Sequence, residues 1–243
     1  MKGVILAGGT GTRLAPLTKI VNKHLLPAGK VPMIEHAVRK LASAGIGDIL
    51  VVIGKQSAGL FLDYLGGGKR WGVRLTYRVQ EEAGGIAQGL ALAEGFISEG
   101  EKMVVLLGDN LFEDDLRPFA DRFAKQEPGT AMVLLKETDE LNRYGVPVLA
   151  NDTIARIEEK PSDPQSDYCV TGVYLYDSAV FGAIRGIRPS LRGELEITDV
   201  NNRYAAEGAL TYGVLTGWWT DAGTFESLRE AGERLSFPDA EPG

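Results

Sequence analysis

From Lys2 to Leu135 the chain alternates short runs of β-branched and aliphatic residues with longer amphipathic stretches. That rhythm predicts repeated βα units around a mostly parallel sheet. Strands are expected near Gly3–Leu6, Ile49–Ile53, Arg74–Val79, Met103–Leu107 and Ala131–Leu135. Between them Pro32–Ala44, Gln56–Leu65 and Ile86–Phe96 carry apolar residues at helical spacing, the first opening on a proline suited to an initial helical turn. These read as crossover helices.

After Tyr144 the rhythm shortens. Strands are expected at Gly145–Leu149, Thr153–Glu158 and Tyr168–Tyr176, with the turn-rich segment Pro161–Asp167 among them. This group reads as an insertion that covers the sheet. Helical spacing returns at Ser178–Ile187 and Glu196–Glu207, followed by a strand at Leu210–Leu215 and a last helix near Thr224–Ser236. The expected fold class is therefore α/β, a Rossmann-like, mostly parallel sheet flanked by helices and carrying an inserted β-rich subdomain. At 243 residues one domain suffices. It would run over 1–236, with its core at about 1–140 and 208–236, the inserted part at about 141–207, and a disordered tail at 237–243.

Charge narrows the chemistry. The net charge of −7 argues against general nucleic-acid binding. Yet Lys2, Arg13, Lys19, Lys23 and Lys30 all precede the first acidic residue, Glu35, so the opening segment is locally cationic and suited to a small polyanion. One cysteine, Cys169, precludes an intrachain disulfide, and with two histidines, His24 and His36, a zinc site of thiolates and imidazoles is disfavoured. Any metal would be held by oxygen. No apolar stretch suits a signal peptide or a membrane span, so a cytoplasmic location and no membrane partner are expected.

Gly8-Gly9-Thr10-Gly11-Thr12-Arg13 directly follows the first expected strand, where a glycine-rich turn lets backbone N–H groups approach a phosphate. It lacks the Gly-Lys-Ser/Thr of a P-loop, and Leu14 replaces the third glycine of a dinucleotide fingerprint. Alone, such a turn is as readily structural as functional. Arg13 and Lys23 add a planar guanidinium and a mobile ammonium with no carboxylate nearby in sequence, a combination that suits a triphosphate. Asp109, after the apolar run ending at Leu107, would stand at the same carboxyl edge of the sheet, and Asp221 could reach it. Two carboxylates without histidine or thiolate suit Mg²⁺. Each aspartate alone is more ordinarily a turn former or helix cap, so the pair carries weight only where both converge.

Gln80, followed by Gly84-Gly85, could read a base edge through its amide, or the segment could be a simple loop. Glu158-Glu159-Lys160-Pro161 reads first as a charged turn. There is no Gly-x-Ser-x-Gly elbow and no usable histidine base, which leaves covalent hydrolase chemistry little to work with. A sugar-1-phosphate nucleophile needs neither, since its second pKa of about 6 leaves it largely ionised at neutral pH.

Together these segments resemble the sugar nucleotidyltransferases, and among them the glucose-1-phosphate thymidylyltransferases. The resemblance rests on Lys2 through Leu14, Lys23-His24-Leu25-Leu26-Pro27, Leu107-Gly108-Asp109-Asn110 and Arg143-Tyr144-Gly145-Val146. It continues through Glu158 to Pro161, Val170-Thr171-Gly172, Arg192-Gly193-Glu194-Leu195-Glu196-Ile197-Thr198-Asp199 and Trp219 to Thr224.

It implies transfer of a thymidylyl group from dTTP to glucose-1-phosphate, giving dTDP-glucose for activated deoxysugars such as dTDP-rhamnose. It further implies a nucleotide site of Leu6, Gly8, Gly9, Thr10, Gly11, Thr12, Arg13, Gln80, Gly85 and Asp109, with Arg13, Lys23 and Asp109 catalytic. Asn110, Tyr144, Gly145, Glu159, Lys160, Val170, Arg192 and Trp219 would bind the sugar phosphate, making the insertion a sugar-binding subdomain. Asp109 and Asp221 would hold Mg²⁺.

Many members carry an acidic residue where Gly84 stands here. Many also carry a further C-terminal helical segment that helps form a regulatory nucleotide site, so this chain resembles the short form. Relatives are commonly tetramers, which by analogy suggests a homo-oligomer. The alternatives are UTP or another nucleotide as donor, a non-catalytic nucleotide-sugar sensor, and a dinucleotide-dependent oxidoreductase, the last disfavoured by the broken glycine fingerprint.

Overall fold

Val4, Ile5, Leu6 and Ala7 of strand β1 (Lys2–Ala7) are all shielded from solvent. That is the signature of a strand covered on both faces. Because side chains alternate along a strand, Val4 and Leu6 enter one apolar cluster with Leu90, Val180 and Val200, while Ile5 and Ala7 enter another with Val38, Phe61 and Phe123. The computed structural model describes residues 1–236; the tail 237–243, expected to be disordered, lies outside the described residues.

In chain order the elements after β1 are β2 (Pro27–Ala28), β3 (Val31–Pro32), α1 (Met33–Ser43), β4 (Asp48–Gly54), α2 (Ala58–Leu65), β5 (Arg74–Gln80), α3 (Ile86–Ala91) and β6 (Lys102–Leu107). They continue with β7 (Asn110–Phe112), α4 (Arg117–Ala124), β8 (Ala131–Glu137), β9 (Gly145–Ala150), β10 (Thr153–Glu159) and β11 (Tyr168–Asp177). The last are α5 (Val180–Arg185), α6 (Ile197–Ala206), β12 (Leu210–Val214), β13 (Trp219–Asp221) and α7 (Phe225–Ser236).

Seven strands form one sheet in the order β12-β8-β11-β6-β1-β4-β5. All neighbours are parallel except β11, which is antiparallel to both β6 and β8. The expected α/β sheet flanked by helices is thus present. The chain leaves β1 toward β4 and β5 on one side and returns to β6 on the other, so the strand order reverses between β1 and β6. In open α/β sheets such a reversal opens a ligand crevice at the carboxyl ends of the two strands.

Two readings of the sequence change. The strand at Tyr168–Asp177 belongs to the centre of the main sheet, not to the insertion, because its residues from Val173 to Asp177 pair along β6. What covers the sheet is the β9–β10 hairpin, with α6 packed against β10. The helix expected over Ile86–Phe96 ends at Ala91 and continues as tight turns, with Gly95 left-handed at φ 82°. Ala93 and Ile97 are buried there all the same, which preserved the helical spacing of apolar residues in the sequence. Helix α4 and the three-residue strands β7 and β13 had no legible signal.

One buried charge stabilises the α1 side. Glu35 is only 3% exposed and accepts hydrogen bonds from Arg39, Arg70 and the Tyr64 hydroxyl. Burial would raise its carboxyl pKa, but the Tyr64 hydrogen bond and the two guanidinium groups hold it below the usual value. A depressed folded-state pKa gives stability that is present above the unfolded carboxylate pKa and lost as pH falls through the folded one. Glu35→Ala is expected to lower the unfolding free energy by about 2 kcal/mol at neutral pH, the scale of hydrogen bonds to a charged group, and by progressively less toward acid. Urea unfolding midpoints at two pH values check this; an equal loss at both would remove the ionic contribution.

Candidate active site

The crevice at the β1/β6 reversal begins with the glycine turn. Gly11 has φ 67°, and an added Cβ would lie 2.8 Å from the Lys23 Cβ, so both conformation and space call for glycine. The carbonyls of the turn are tied down behind it: Asn22 Nδ2 donates to Gly9 O at 3.1 Å and Thr18 Oγ1 donates to Gly11 O at 2.8 Å. Among the described residues the N–H groups of Gly9, Thr10 and Gly11 have no protein acceptor. Such successive unused donors form a nest for an anion.

Asp109 follows β6 after the single residue Gly108. Three-residue β13 pairs antiparallel with β7, setting Asp221 opposite Asn110, while Ala222 N donates to Asp109 O at 2.9 Å. This non-local pairing brings the two aspartates to one place, as the metal reading requires. Neither is free. Lys23 Nζ donates to Asp109 Oδ2. Asp221 Oδ1 accepts from the Tyr144 hydroxyl at 2.9 Å and from Arg143 at 3.0 Å, with Arg13 3.5 Å from Oδ2. The two cations that lack carboxylate partners in sequence therefore find them across the cleft.

Burial alone would raise the Asp109 pKa, but the charge and hydrogen bond of Lys23 more than offset it, keeping this carboxylate ionised well below the usual range. Asp221 shifts upward, first by burial and then by repulsion from Asp109. One buried and one half-buried carboxylate in mutual repulsion fit a hard divalent cation that takes its other ligands from water and phosphate. Among the described residues no group of three His, Cys, Asp or Glu could cage a metal unaided. His24 is buried, and desolvation together with the Lys23 charge lowers its pKa to about 3, so it is a neutral wedge beneath Gly108.

Opposite the glycine turn, α6 and the β9–β10 hairpin build a polar wall. Thr198 Oγ1 donates to Glu159 Oε2 at 2.7 Å, and Arg192 pairs with Glu196 at 2.9 Å. Trp219 Nε1 donates to Asn110 Oδ1 at 2.8 Å, and its ring meets Tyr144 edge-on at 5.2 Å. On the third side Gln80 ends β5 and Gly85 precedes α3, where φ 103° and a Cβ position 2.4 Å from Leu195 O admit only glycine.

The cleft has a volume of about 430 Å³. Leu6, Gly8, Gly9, Thr10, Gly11, Thr12, Arg13, Lys23, Gln80, Gly85 and Asp109 all line it, as do Asn110, Tyr144, Gly145, Glu159, Lys160, Val170, Arg192, Trp219 and Asp221. It also includes residues not singled out from sequence: His24, Arg143, Gly172, Glu196, Thr198 and Asn201. His24, Arg143, Gly172, Glu196 and Thr198 lay inside motifs already noted, so their neighbours were the available signal. Asn201 on α6 had none.

A family model described as nucleotidyl transferase matches residues 2–236. The glucose-1-phosphate thymidylyltransferase of Actinoplanes sp. is 42% identical over 95% of this chain and 77% of its own length. That of Neisseria gonorrhoeae is 41% identical over 95% and 81%. A crystal structure of a Bacillus anthracis chain assigned as a glucose-1-phosphate thymidylyltransferase, in complex with sucrose, superposes with a TM-score of 0.93 at 53% identity, covering 99% of this chain and 97% of that one. A UDP-glucose pyrophosphorylase complexed with UDP-glucose shares the fold, with a TM-score of 0.83 at 24% identity over 96% of this chain and 97% of that one. With relatives above 40% identity spanning nearly all of it and the family model covering residues 2–236, the chain belongs to the nucleotidyl transferase family.

Proposed function

We propose that the protein is a glucose-1-phosphate thymidylyltransferase, converting dTTP and glucose-1-phosphate to dTDP-glucose and pyrophosphate. The observation that carries this reading is the meeting of Asp109 and Asp221 with Lys23 and Arg13 between a nest of unused N–H groups and a polar wall. The names of the curated relatives support dTTP over UTP.

Gly9, Thr10 and Gly11 offer their N–H groups to the triphosphate, and Arg13 and Lys23 neutralise it. Asp109 and Asp221 would hold Mg²⁺, which supplies charge neutralisation at the reacting phosphates. Glu159, Lys160, Arg192 and Trp219 orient the sugar phosphate. Its phosphate oxygen attacks the α-phosphorus in line while the bond to the β-phosphate breaks, and pyrophosphate leaves. The neutral His24 takes no proton in this scheme. Among the described residues no helix is long and apolar enough to cross a membrane, and the cytoplasm is the site of action proposed with this chemistry.

Purified protein with Mg²⁺, dTTP and glucose-1-phosphate is expected to release pyrophosphate, read by a coupled phosphate assay. Absence of release with dTTP, UTP, dCTP, ATP and GTP alike would overturn the enzyme reading in favour of a sensor.

A further inference from the structure

Gln80 has an amide that can present either an oxygen or an NH₂ to a base, and rotation about its last bond exchanges the two. A half-buried residue outside the cleft lining removes that choice. Gly84 N–H, a donor that cannot turn round, is shared between Gln88 Oε1 and Glu82 O, each at 2.9 Å. This fixes Gln88 with its oxygen toward the loop. The same oxygen accepts from Gln80 Nε2 at 2.8 Å, and the Gly85 carbonyl is a further acceptor 3.4 Å from that nitrogen. Both neighbours of Nε2 are therefore acceptors, so a flipped Gln80 would set oxygen against oxygen.

The frame is rigid. Leu195 N donates to Gly84 O at 2.8 Å and Ala87 N donates to Leu195 O at 3.1 Å, pinning the loop that carries the Gly84 donor. Gly84 also lacks a side chain where one would collide with Gln88: an added Cβ would lie 2.4 Å from Gln88 Nε2. Gln80 Oε1 meanwhile rests between two further glycines, 2.0 Å from where a Cβ would stand on Gly8 and 3.4 Å from one on Gly89. Among the described residues it accepts no hydrogen bond.

We infer that Gln88 is a specificity-positioning residue: it locks Gln80 with only its carbonyl oxygen available to the base, selecting pyrimidines that carry a ring N–H and rejecting cytosine. Thymine and uracil present a ring N3–H donor between two carbonyl acceptors, which a fixed acceptor can meet. Cytosine presents a ring-nitrogen lone pair at that place, and a locked oxygen faces it without a proton between them. A site whose buried polar group is left unpaired discriminates far more strongly than one that merely lacks a methyl contact. This inference rests on the proposed base site at Gln80, and it assigns the lock to selection against cytosine rather than to the choice between thymine and uracil.

The test is kcat/KM for pyrophosphate release with dTTP, UTP and dCTP in wild type, Gln88→Met, Gln88→Glu and Gln80→Ala. Methionine keeps the length and removes the acceptor, so the dCTP-to-dTTP ratio is expected to rise at least about tenfold as Gln80 becomes free to flip. Glutamate keeps an acceptor for both Gly84 N–H and Gln80 Nε2, so it should restore the wild-type ratio. A merely structural role for Gln88 would lower all three nucleotides together and leave the ratio alone. An unchanged ratio in Gln88→Met, with the ratio altered in Gln80→Ala, overturns the lock and leaves the base site standing. An unchanged ratio in Gln80→Ala overturns the base site itself. If the thioether packs badly and unfolds the protein, Gln88→Ala is read by the same ratio.

Discussion

Asp109→Ala and Asp221→Ala are each expected to lower the rate of pyrophosphate release from dTTP by at least about a thousandfold, or about 4 kcal/mol of transition-state stabilisation, while the protein stays folded. The two aspartates reach the site by different routes, Asp109 at the end of β6 and Asp221 through the β7–β13 pairing. Each carries backbone contacts independent of its carboxylate, including the bond from Ala222 N to Asp109 O, so truncation removes charge without undoing the local fold. Removing Asp109 also leaves Lys23 Nζ without its carboxylate partner, and leaves burial to raise the Asp221 pKa without the added repulsion from Asp109. The proposed metal reading makes a second demand. Mn²⁺ binding, followed by electron paramagnetic resonance, should weaken in both variants, and near-normal turnover in either would exclude that residue as an essential ligand.

Lys23→Ala is expected to reduce kcat by about a hundredfold or more, with a smaller change in KM. The ammonium lies beside both Asp109 and the glycine turn: a Cβ on Gly9 would be 3.7 Å from Nζ. It is engaged by the Asp109 carboxylate, so part of what it gives bound substrate is offset by breaking that ion pair. Charge developing on the departing phosphates has no such offset, which places the larger effect on the chemical step. Lys23→Arg should rescue poorly, because a planar fork in a space flanked by Gly11, with its Cβ position 2.8 Å from the Lys23 Cβ, cannot reproduce a compact point charge. Single-turnover measurements separate binding from chemistry. A normal kcat with a raised KM would reassign Lys23 to ground-state binding.

Most strands were legible because pattern and tertiary demand agree: in β1, β4 and β6 the apolar runs are the residues buried between helices on both faces. The glycine turn was legible because its conformation is a local demand, as at Gly11. The strand at Tyr168–Asp177 was correctly expected but assigned to the wrong layer, since a strand's length and composition do not say which neighbours it pairs with. Gln88 carried no signal at all, for its role lies in an amide turned toward Gln80 and the Gly84 N–H.

Spacing within a few positions along the chain was enough for the α/β class and the succession of elements, and the motifs that carry the family resemblance pointed to most residues that line the cleft. How the charges pair was settled in three dimensions. Lys23 and Asp109 are 86 positions apart, and Arg143 and Asp221 are 78 apart. Local sequence showed Arg13 and Lys23 without partners; the adjacency of β1 and β6 brought Asp109 to Lys23, and the β7–β13 pairing brought Asp221 to Arg13. Ion pairs and shared carboxylates depend on distance in space, and that distance is set by how the strands are ordered in the sheet rather than by their order in the chain.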